Sequence, residues 1–206
     1  MRVVCISDTH NRQGTFDVPD GDLLVHAGDF SMMGRHDELA RVATWFAALP
    51  HRHKIVIAGN HDWMFQLDPP RARSIVTGVT YLEDSGTTVD GLRVWGSPWQ
   101  PEFGDWAFNL PRGHPLAQKW ALIPAGVDIL VTHGPPLGIG DVTYSGDAVG
   151  CGDLKRELKR VRPRLHVFGH IHEGYGVTRA DGTIYVNASV CDRDYKPVNA
   201  AVVIDL

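Results

Sequence analysis

Polar side chains that can bind a metal ion follow five apolar runs of the sequence. The runs are VVCIS, LLVHAG, KIVIAG, VDILVT and LHVFG, and the residues that follow them are Asp8, Asp29, Asn60, His133 and His170. Each run has the length and composition of a buried strand. Because ligands bind at the carboxyl ends of strands in open α/β sheets, the five side chains are expected to meet at one site.

Two of these positions have a second potential ligand two residues later. His10 follows Asp8, and His172 follows His170. In an extended chain, residues i and i+2 point to the same side, so each pair is predicted to chelate. Glycine stands directly before three of the candidate ligands, at positions 28, 59 and 169. A residue without a Cβ atom allows a sharp bend there and the close approach of an ion.

The candidate ligands are nitrogen and oxygen donors with no thiolate among them: Asp8, His10, Asp29, Asn60, His133, His170 and His172. One tetrahedral ion needs fewer ligands, so the set suits two divalent ions that share a carboxylate, with Mn²⁺ expected and Fe²⁺ or Zn²⁺ as alternatives. Two ions about 3.5–4 Å apart can lower the pKa of a bridging water and hold the phosphoryl oxygens during its attack. The predicted chemistry is hydrolysis of a phosphate ester.

The elements that must position these ligands alternate between strands and helices. Apolar residues recur every three or four positions in 37–49 and in 153–162, which predicts two amphipathic helices and an α/β chain. Later strand-like segments surround the pairs Asp90-Gly91 and Asp181-Gly182, and these pairs predict antiparallel hairpins. One mixed sheet, or two, is therefore expected.

Composition narrows the class of protein. A chain of 206 residues with 43% hydrophobic content can form one domain, residues 1–206, with a sizeable core. Its first residues are strand-like and lack a signal-peptide pattern, and no apolar run could span a bilayer, so a cytoplasmic protein without a membrane partner is predicted. Three cysteines without C-x-x-C spacing predict reduced thiols. A net charge of −4 makes nucleic acid an unfavourable partner.

The motifs DTH, GD, GNHD, TH and GHIH, in this order, resemble the five-part signature of the calcineurin-like metallophosphoesterases. The longer stretches KIVIAGNH, FNLPRG, DILVTHGPPLG and HVFGHIHEGYG are similar to the metallophosphoesterase-domain-containing group of that family. This resemblance covers nearly the whole chain. It implies an α/β fold built as a four-layer αββα sandwich, in which two mixed sheets lie between helices and a dinuclear metal site lies at the strand ends.

The resemblance also implies roles for individual residues. One ion would be held by Asp8, His10, Asp29 and His172, and the other by Asp29, Asn60, His133 and His170, so that Asp29 bridges the two. His61 would act as a general acid or stabilise charge on the leaving oxygen. Asp62 leaves two interpretations open, because it could orient His61 or cap the next helix.

The implied substrates are small phosphodiesters, with 3′,5′-cyclic nucleotides among them. The Ser/Thr protein-phosphatase branch of the family carries G-D-x-V-D-R-G, whereas this chain reads GDFSMMG and lacks that arginine. A protein phosphatase is therefore disfavoured. A phosphomonoesterase and a metal- or nucleotide-binding scaffold with vestigial activity remain as alternatives.

Aromatic residues and a long irregular segment could shape the substrate pocket. Most of the aromatics are expected in the core, with one or two at the pocket, and Trp63 is the best placed by sequence. The segment 97–115 has the length of a functional loop. Asn11 and Arg12 follow His10 and are expected in a surface loop, with contact to the substrate phosphate as the alternative. The basic run at 155–164 is expected to be a solvated helix face rather than a nucleic-acid site.

Overall fold

The computed structural model describes residues 1–206. The strands, in chain order, are β1 Arg2–Ile6, β2 Leu23–His26, β3 His53–Val56, β4 Thr80–Tyr81, β5 Ser85–Val89, β6 Leu92–Ser97, β7 Gln100–Pro101, β8 Asn109–Leu110, β9 Ile129–Thr132, β10 Leu165–Phe168, β11 Gly176–Ala180, β12 Thr183–Asn187 and β13 Val202–Asp205. The helices are α1 His36–Ala48, α2 Trp63–Leu67, α3 Pro69–Ile75, α4 His114–Ala121 and α5 Gly152–Val161, and a 3₁₀ turn spans His172–Gly174.

Two mixed sheets carry the five predicted strand ends. The first has the order β13-β1-β2-β3-β4, in which only β13 runs antiparallel to its neighbour. The second has the order β11-β12-β10-β9-β6-β5, with parallel strands in the middle and an antiparallel strand at each edge. The runs predicted as buried strands form β1, β2, β3, β9 and β10, all within the parallel parts of the sheets.

Three hydrophobic clusters divide the molecule into four layers. The largest lies between the sheets and joins side chains of the first sheet, such as Val25 and Ile55, to side chains of the second, such as Val131 and Val167. Another packs α1, α2 and α3 on the outer face of the first sheet, and the third packs α4 and α5 on the second. The predicted αββα sandwich is therefore confirmed.

Local sequence explains the elements that border the site. Helix α1 buries Leu39, Val42 and Phe46 on one face and has two acidic residues in its first turn, which suit the positive end of the helix dipole. Helix α5 buries an equivalent stripe and matches the second predicted helix. The predicted hairpins are β5–β6 and β11–β12, and their Asp-Gly turn residues all have the positive φ that a two-residue turn of type I′ requires.

The segment 97–115 is mostly irregular, as predicted. It contains the short parallel pair β7–β8 and ends in the first turn of α4. The backbone N–H of Ala107 donates to the carbonyl of Asn60 at 3.2 Å, which fixes this segment against the end of β3. The three cysteines are unpaired and buried, in agreement with their number and spacing.

Candidate metal centre

The candidate ligands lie on sharp turns at the strand ends. Asp8, His10, Asp29 and His170 all have φ between 40° and 68°, a region that residues other than glycine seldom adopt. The expectation that Asp8 and His10 chelate from an extended chain is therefore wrong. The left-handed turns bring the side chains together instead, and such strained backbone is often found where a site depends on it.

Two of the three glycines before the ligands make room for a carboxylate of another strand. A Cβ atom on Gly59 would lie 2.2 Å from Asp29 Oδ1, and one on Gly169 would lie 1.9 Å from Asp8 Oδ2. Both distances are impossible for real atoms. The groups that approach the backbone so closely are thus the carboxylates of two candidate ligands, where the sequence predicted an ion.

Asp8, His10 and His172 form the first group of potential ligands. The Nε2 atom of His172 lies 3.3 Å from Asp8 Oδ1 and 3.3 Å from the Nε2 atom of His10. Asp8 is fully buried, and its Oδ2 atom accepts hydrogen bonds from the Ser189 hydroxyl and the backbone N–H of His170. The same N–H also lies 3.1 Å from Oδ1, the oxygen that faces His172 and can bind an ion with its other lone pair.

Asp29 belongs to two further groups, one with His10 and His61 and one with Asp8 and His133. Its Oδ1 atom accepts the backbone N–H of His61 at 2.8 Å. Its Oδ2 atom lies 3.8 Å from His10 Nε2 and 3.4 Å from His133 Nε2.

Asn60 and His170 complete the surroundings of His133. The Oδ1 atom of Asn60 lies 2.9 Å from His133 Nε2, and the rings of His133 and His170 are 5.0 Å apart. The structure therefore brings all seven predicted ligands to one place, with Asp29 between the two halves.

Backbone carbonyls fix the tautomers of three histidines. The Nδ1 atoms of His61, His133 and His172 lie 2.7, 2.9 and 2.8 Å from the carbonyl oxygens of Met32, Ala27 and Asp192, respectively. A carbonyl only accepts, so each Nδ1 carries hydrogen, and in the neutral ring the Nε2 lone pair points into the centre.

The donor set fits divalent metal ions. When the rings are neutral, the lone pair of His133 Nε2 faces Asn60 Oδ1 and that of His172 Nε2 faces Asp8 Oδ1, so each contact needs a proton or a metal cation between its two atoms. Bound metal ions would supply that cation, and neutral imidazoles with carboxylate and amide oxygens are common ligands of Mn²⁺, Fe²⁺ and Zn²⁺.

Charges within the cluster lower the pKa of Asp8 and raise the pKa values of His133 and His172. Burial raises the pKa of Asp8, but the hydrogen bond and charge of His172, together with the charges of His133 and His10, outweigh burial and hold that pKa well below its usual value. Burial lowers the pKa of His133, yet the charge and hydrogen bond of Asp29 raise it to about 9. For His172, burial is likewise opposed by Asp8, and the pKa rises to about 9.

Asp62 has a different role from either interpretation of the sequence. Its side chain makes no capping hydrogen bond to α2, and the ring of His61 is held by Met32 instead. The Asp62 carboxyl accepts the backbone N–H groups of Asp29, Ser31 and Gly59 and the Ser31 hydroxyl, at 2.6–3.0 Å. It therefore joins the turn after β2 to the turn after β3 and contacts no ligand side chain by hydrogen bonds.

Two buried histidines outside the set of candidate ligands form hydrogen bonds to residues next to those ligands. His26 Nε2 lies 3.0 Å from the hydroxyl of Thr9, the residue between Asp8 and His10. His166 Nε2 lies 2.9 Å from the hydroxyl of Thr132, which itself donates to the carbonyl of Gly134 across His133. Burial lowers the pKa of both histidines to about 3, so they act as neutral donors.

A pocket of about 510 Å³ opens beside the centre. Its wall includes Trp106, whose ring lies 4.3 Å from that of His61 at an angle of 32°, and Phe103, whose ring lies 5.0 Å from that of His170. Both come from the segment 97–115. The placement of Trp63 at the pocket is wrong, because Trp63 packs against the cluster under the first sheet.

Sequence reasoning missed Ser189 and Tyr195. Ser189 follows β12 and donates to Asp8 at 2.8 Å, and Tyr195 lines the pocket. The run TIYV before Asn187 has the same pattern as the five runs that were recognised, so it signalled a sixth strand end. Asn11 donates to Glu38 and Arg12 to the carbonyl of Tyr195, so both have structural contacts in the loop.

Comparison with known proteins identifies the family. A family model described as calcineurin-like phosphoesterase matches residues 1–174. The human and mouse proteins named metallophosphoesterase domain-containing protein 1 are each 50% identical over 230 aligned positions, which cover 100% of this chain and 71% of theirs. A Caenorhabditis elegans UPF0046 protein is 37% identical and is covered to 81%. The chain therefore belongs to the calcineurin-like phosphoesterase family, and membership implies metal-dependent hydrolysis of phosphoesters.

Solved structures share the fold at low sequence identity. One matches with a TM-score of 0.70 and 16% identity over 90% of this chain and 89% of its own. The protein TT1561 of Thermus thermophilus matches with a TM-score of 0.59 and 14% identity over 90% and 88%. Among the helices of the chain, none is long and apolar enough to cross a membrane. The single-domain organisation and the cytoplasmic location stay predictions.

The raised pKa values of His133 and His172 predict that metal binding releases protons. Both rings hold an extra proton below their pKa of about 9, and a metal ligand must give it up. Binding at about pH 7 should release about two protons per chain from these rings, besides any proton lost by a metal-bound water, and metal affinity should rise with pH through about pH 9. Calorimetric titration of metal-free protein with Mn²⁺, in buffers of different ionisation enthalpy, measures this number. Binding without proton release at about pH 7 would contradict the charge assignment.

Proposed function

We propose that the protein is a two-metal phosphodiesterase for small diesters, 3′,5′-cyclic nucleotides included. In this proposal, Asp8, His10, Asp29 and His172 would hold one Mn²⁺ ion, and Asp29, Asn60, His133 and His170 would hold a second. Bound there, the ions would activate a water molecule and bind phosphoryl oxygens.

The observation that carries the proposal is the position of Asp29. Its Oδ2 atom is within 3.8 Å of the Nε2 atoms of His10 and His133, which belong to opposite halves of the cluster. A single carboxylate oxygen that faces both halves supports a shared ligand. The backbone N–H of His61 holds the other oxygen, so the carboxylate cannot rotate away without losing that hydrogen bond.

The glutamates and arginines of the pocket wall balance one another, so the wall gives no excess positive charge to a monoester dianion. Glu102 and Glu173 line the wall and would repel the dianion of a monoester more than the monoanion of a diester. Arg112 and Arg193 line the same wall, but the Arg112 guanidinium donates to the carbonyls of Val149 and Gly150, and that of Arg193 packs on the ring of Tyr144. The pocket thus lacks the free arginine pair that would bind a dianion bidentately.

His61 is proposed to assist the leaving oxygen. Its Nδ1 atom donates to the Met32 carbonyl, which turns Nε2 toward the centre, 3.9 Å from Asp29 Oδ2. The face of Trp106 lies against the ring and limits its rotation. When protonated, Nε2 can donate to an oxygen that departs from phosphorus.

Selectivity for diesters is the first test of this function. Protein stripped with a chelator and reloaded with Mn²⁺ should hydrolyse bis-p-nitrophenyl phosphate about tenfold or more faster than p-nitrophenyl phosphate, in terms of kcat/KM. A faster reaction with the monoester would favour a phosphomonoesterase. Two bound ions without turnover of either substrate would favour a binding scaffold.

The role of His61 predicts a dependence on the leaving group. His61→Gln should keep both metal ions, because the proposed ligands are unchanged. It should lower turnover of a cyclic nucleotide by about 10²–10⁴-fold, since an alkoxide needs a proton, and should cost clearly less with a nitrophenolate leaving group. Steady-state rates on both substrates, with metal content from the same preparation, decide the matter. An equal loss on both would show that His61 acts on the phosphoryl group instead.

A further inference from the structure

The loop after β12 places the aromatic ring of Tyr195 at the candidate metal centre. The ring centroid of Tyr195 lies 4.6 Å from that of His10, 5.9 Å from that of His61 and 6.1 Å from that of His172. Tyr195 also lines the pocket, whereas His10 is almost fully buried. One side chain outside the family motifs thus contacts or approaches three of the histidines in the centre.

The conformation of this loop is tied to the centre itself. The carbonyl of Asp192 accepts the Nδ1–H of His172 at 2.8 Å and the backbone N–H of Tyr195 at 2.9 Å. Arg12, two residues after His10, donates from Nε to the carbonyl of Tyr195 at 2.9 Å. Tyr195 has a φ of 58°, an unfavourable value for a tyrosine that these hydrogen bonds must offset.

The hydroxyl of Tyr195 has no partner within the chain. The carbonyl and the backbone N–H of the residue are both bonded, but the phenol oxygen makes no hydrogen bond. The hydroxyl of Tyr175, by contrast, donates to the carbonyl of Ala200. The Tyr195 hydroxyl is therefore a partly buried donor that is held beside the ligands at a cost in backbone strain. It is available for a bound molecule.

We propose that Tyr195 contacts the substrate and that its hydroxyl donates a hydrogen bond to a phosphoryl oxygen of the bound diester. The inference rests on the proposed function. A phosphoryl oxygen is favoured over the leaving oxygen because the ring lies closer to His10, a proposed ligand, than to His61. A neutral phenol also suits a singly charged diester, which needs less positive charge than a monoester dianion.

Tyr195→Phe tests this contact because it removes the hydroxyl and keeps the ring. The variant should lose about 10- to 100-fold in kcat/KM, the loss expected for one hydrogen bond to a charged group. The factor should be the same for bis-p-nitrophenyl phosphate and for a cyclic nucleotide, because both present the same phosphoryl oxygens. Affinity of the Mn²⁺-loaded protein for inorganic phosphate should fall as well, with metal content and Tm unchanged.

Tyr144→Phe is the matched control. Tyr144 does not line the pocket, is 74% exposed and packs its ring on Arg193, a contact that phenylalanine keeps, so the rates of this variant should match those of the wild type. Unchanged rates in Tyr195→Phe would overturn the proposal, and so would a loss confined to the cyclic nucleotide or one explained by lost metal. A wild-type protein that hydrolyses neither diester would refute the proposed function itself, before any variant is compared.

Discussion

Two buried carboxylates without a lysine or arginine partner are the constraint on which the rest of the structure depends. Asp8 is fully buried and Asp29 is 2% exposed, and the nearest charged groups are histidines. Buried charges are costly unless they are paired or bind metal ions. Protonated imidazoles can balance them, as the raised pKa values of His133 and His172 indicate. The same pairs can bind divalent ions once those protons leave.

The surrounding backbone is organised to hold these charges. Backbone N–H groups of His61 and His170 donate to the two carboxylates, and Ser189 donates to Asp8 from the end of β12. A further buried carboxyl, Asp62, binds the backbone of the adjoining turns. Much of the hydrogen bonding beneath the ligands thus comes from main-chain groups. Main-chain donors are fixed by the sheets, so the ligand positions follow from the fold.

The sequence predicts those features that arise from local periodicity. The parallel strands, the helices α1 and α5 and both Asp-Gly hairpins follow from patterns that span a few residues. The meeting of the seven candidate ligands also follows, because the carboxyl ends of parallel strands share one edge. The backbone conformation of Asp8 and His10 does not follow, since a left-handed turn is decided by the contacts around it.

The sequence does not predict the contacts between distant segments. Ser189 reaches Asp8 across 181 positions of the chain, and Tyr195 reaches His10 through a loop whose shape depends on Arg12. Trp63 follows the GNHD motif directly, yet it packs against the apolar cluster under the first sheet and not in the pocket. Trp106, much further along the chain, lies against His61 instead. A residue close in sequence to a ligand motif need not line the pocket, because the wall is formed by loops from several parts of the chain.

The metal content of three proteins shows whether Asp29 is shared by two ions. Wild type, Asp8→Asn and Asp29→Asn are loaded with Mn²⁺, freed of unbound metal and measured by atomic emission. If Asp29 is the shared ligand, we expect about two ions per chain in the wild type, about one in Asp8→Asn and clearly less than one in Asp29→Asn. Retention of both ions by Asp29→Asn, or a fully active wild type with one ion, would contradict it.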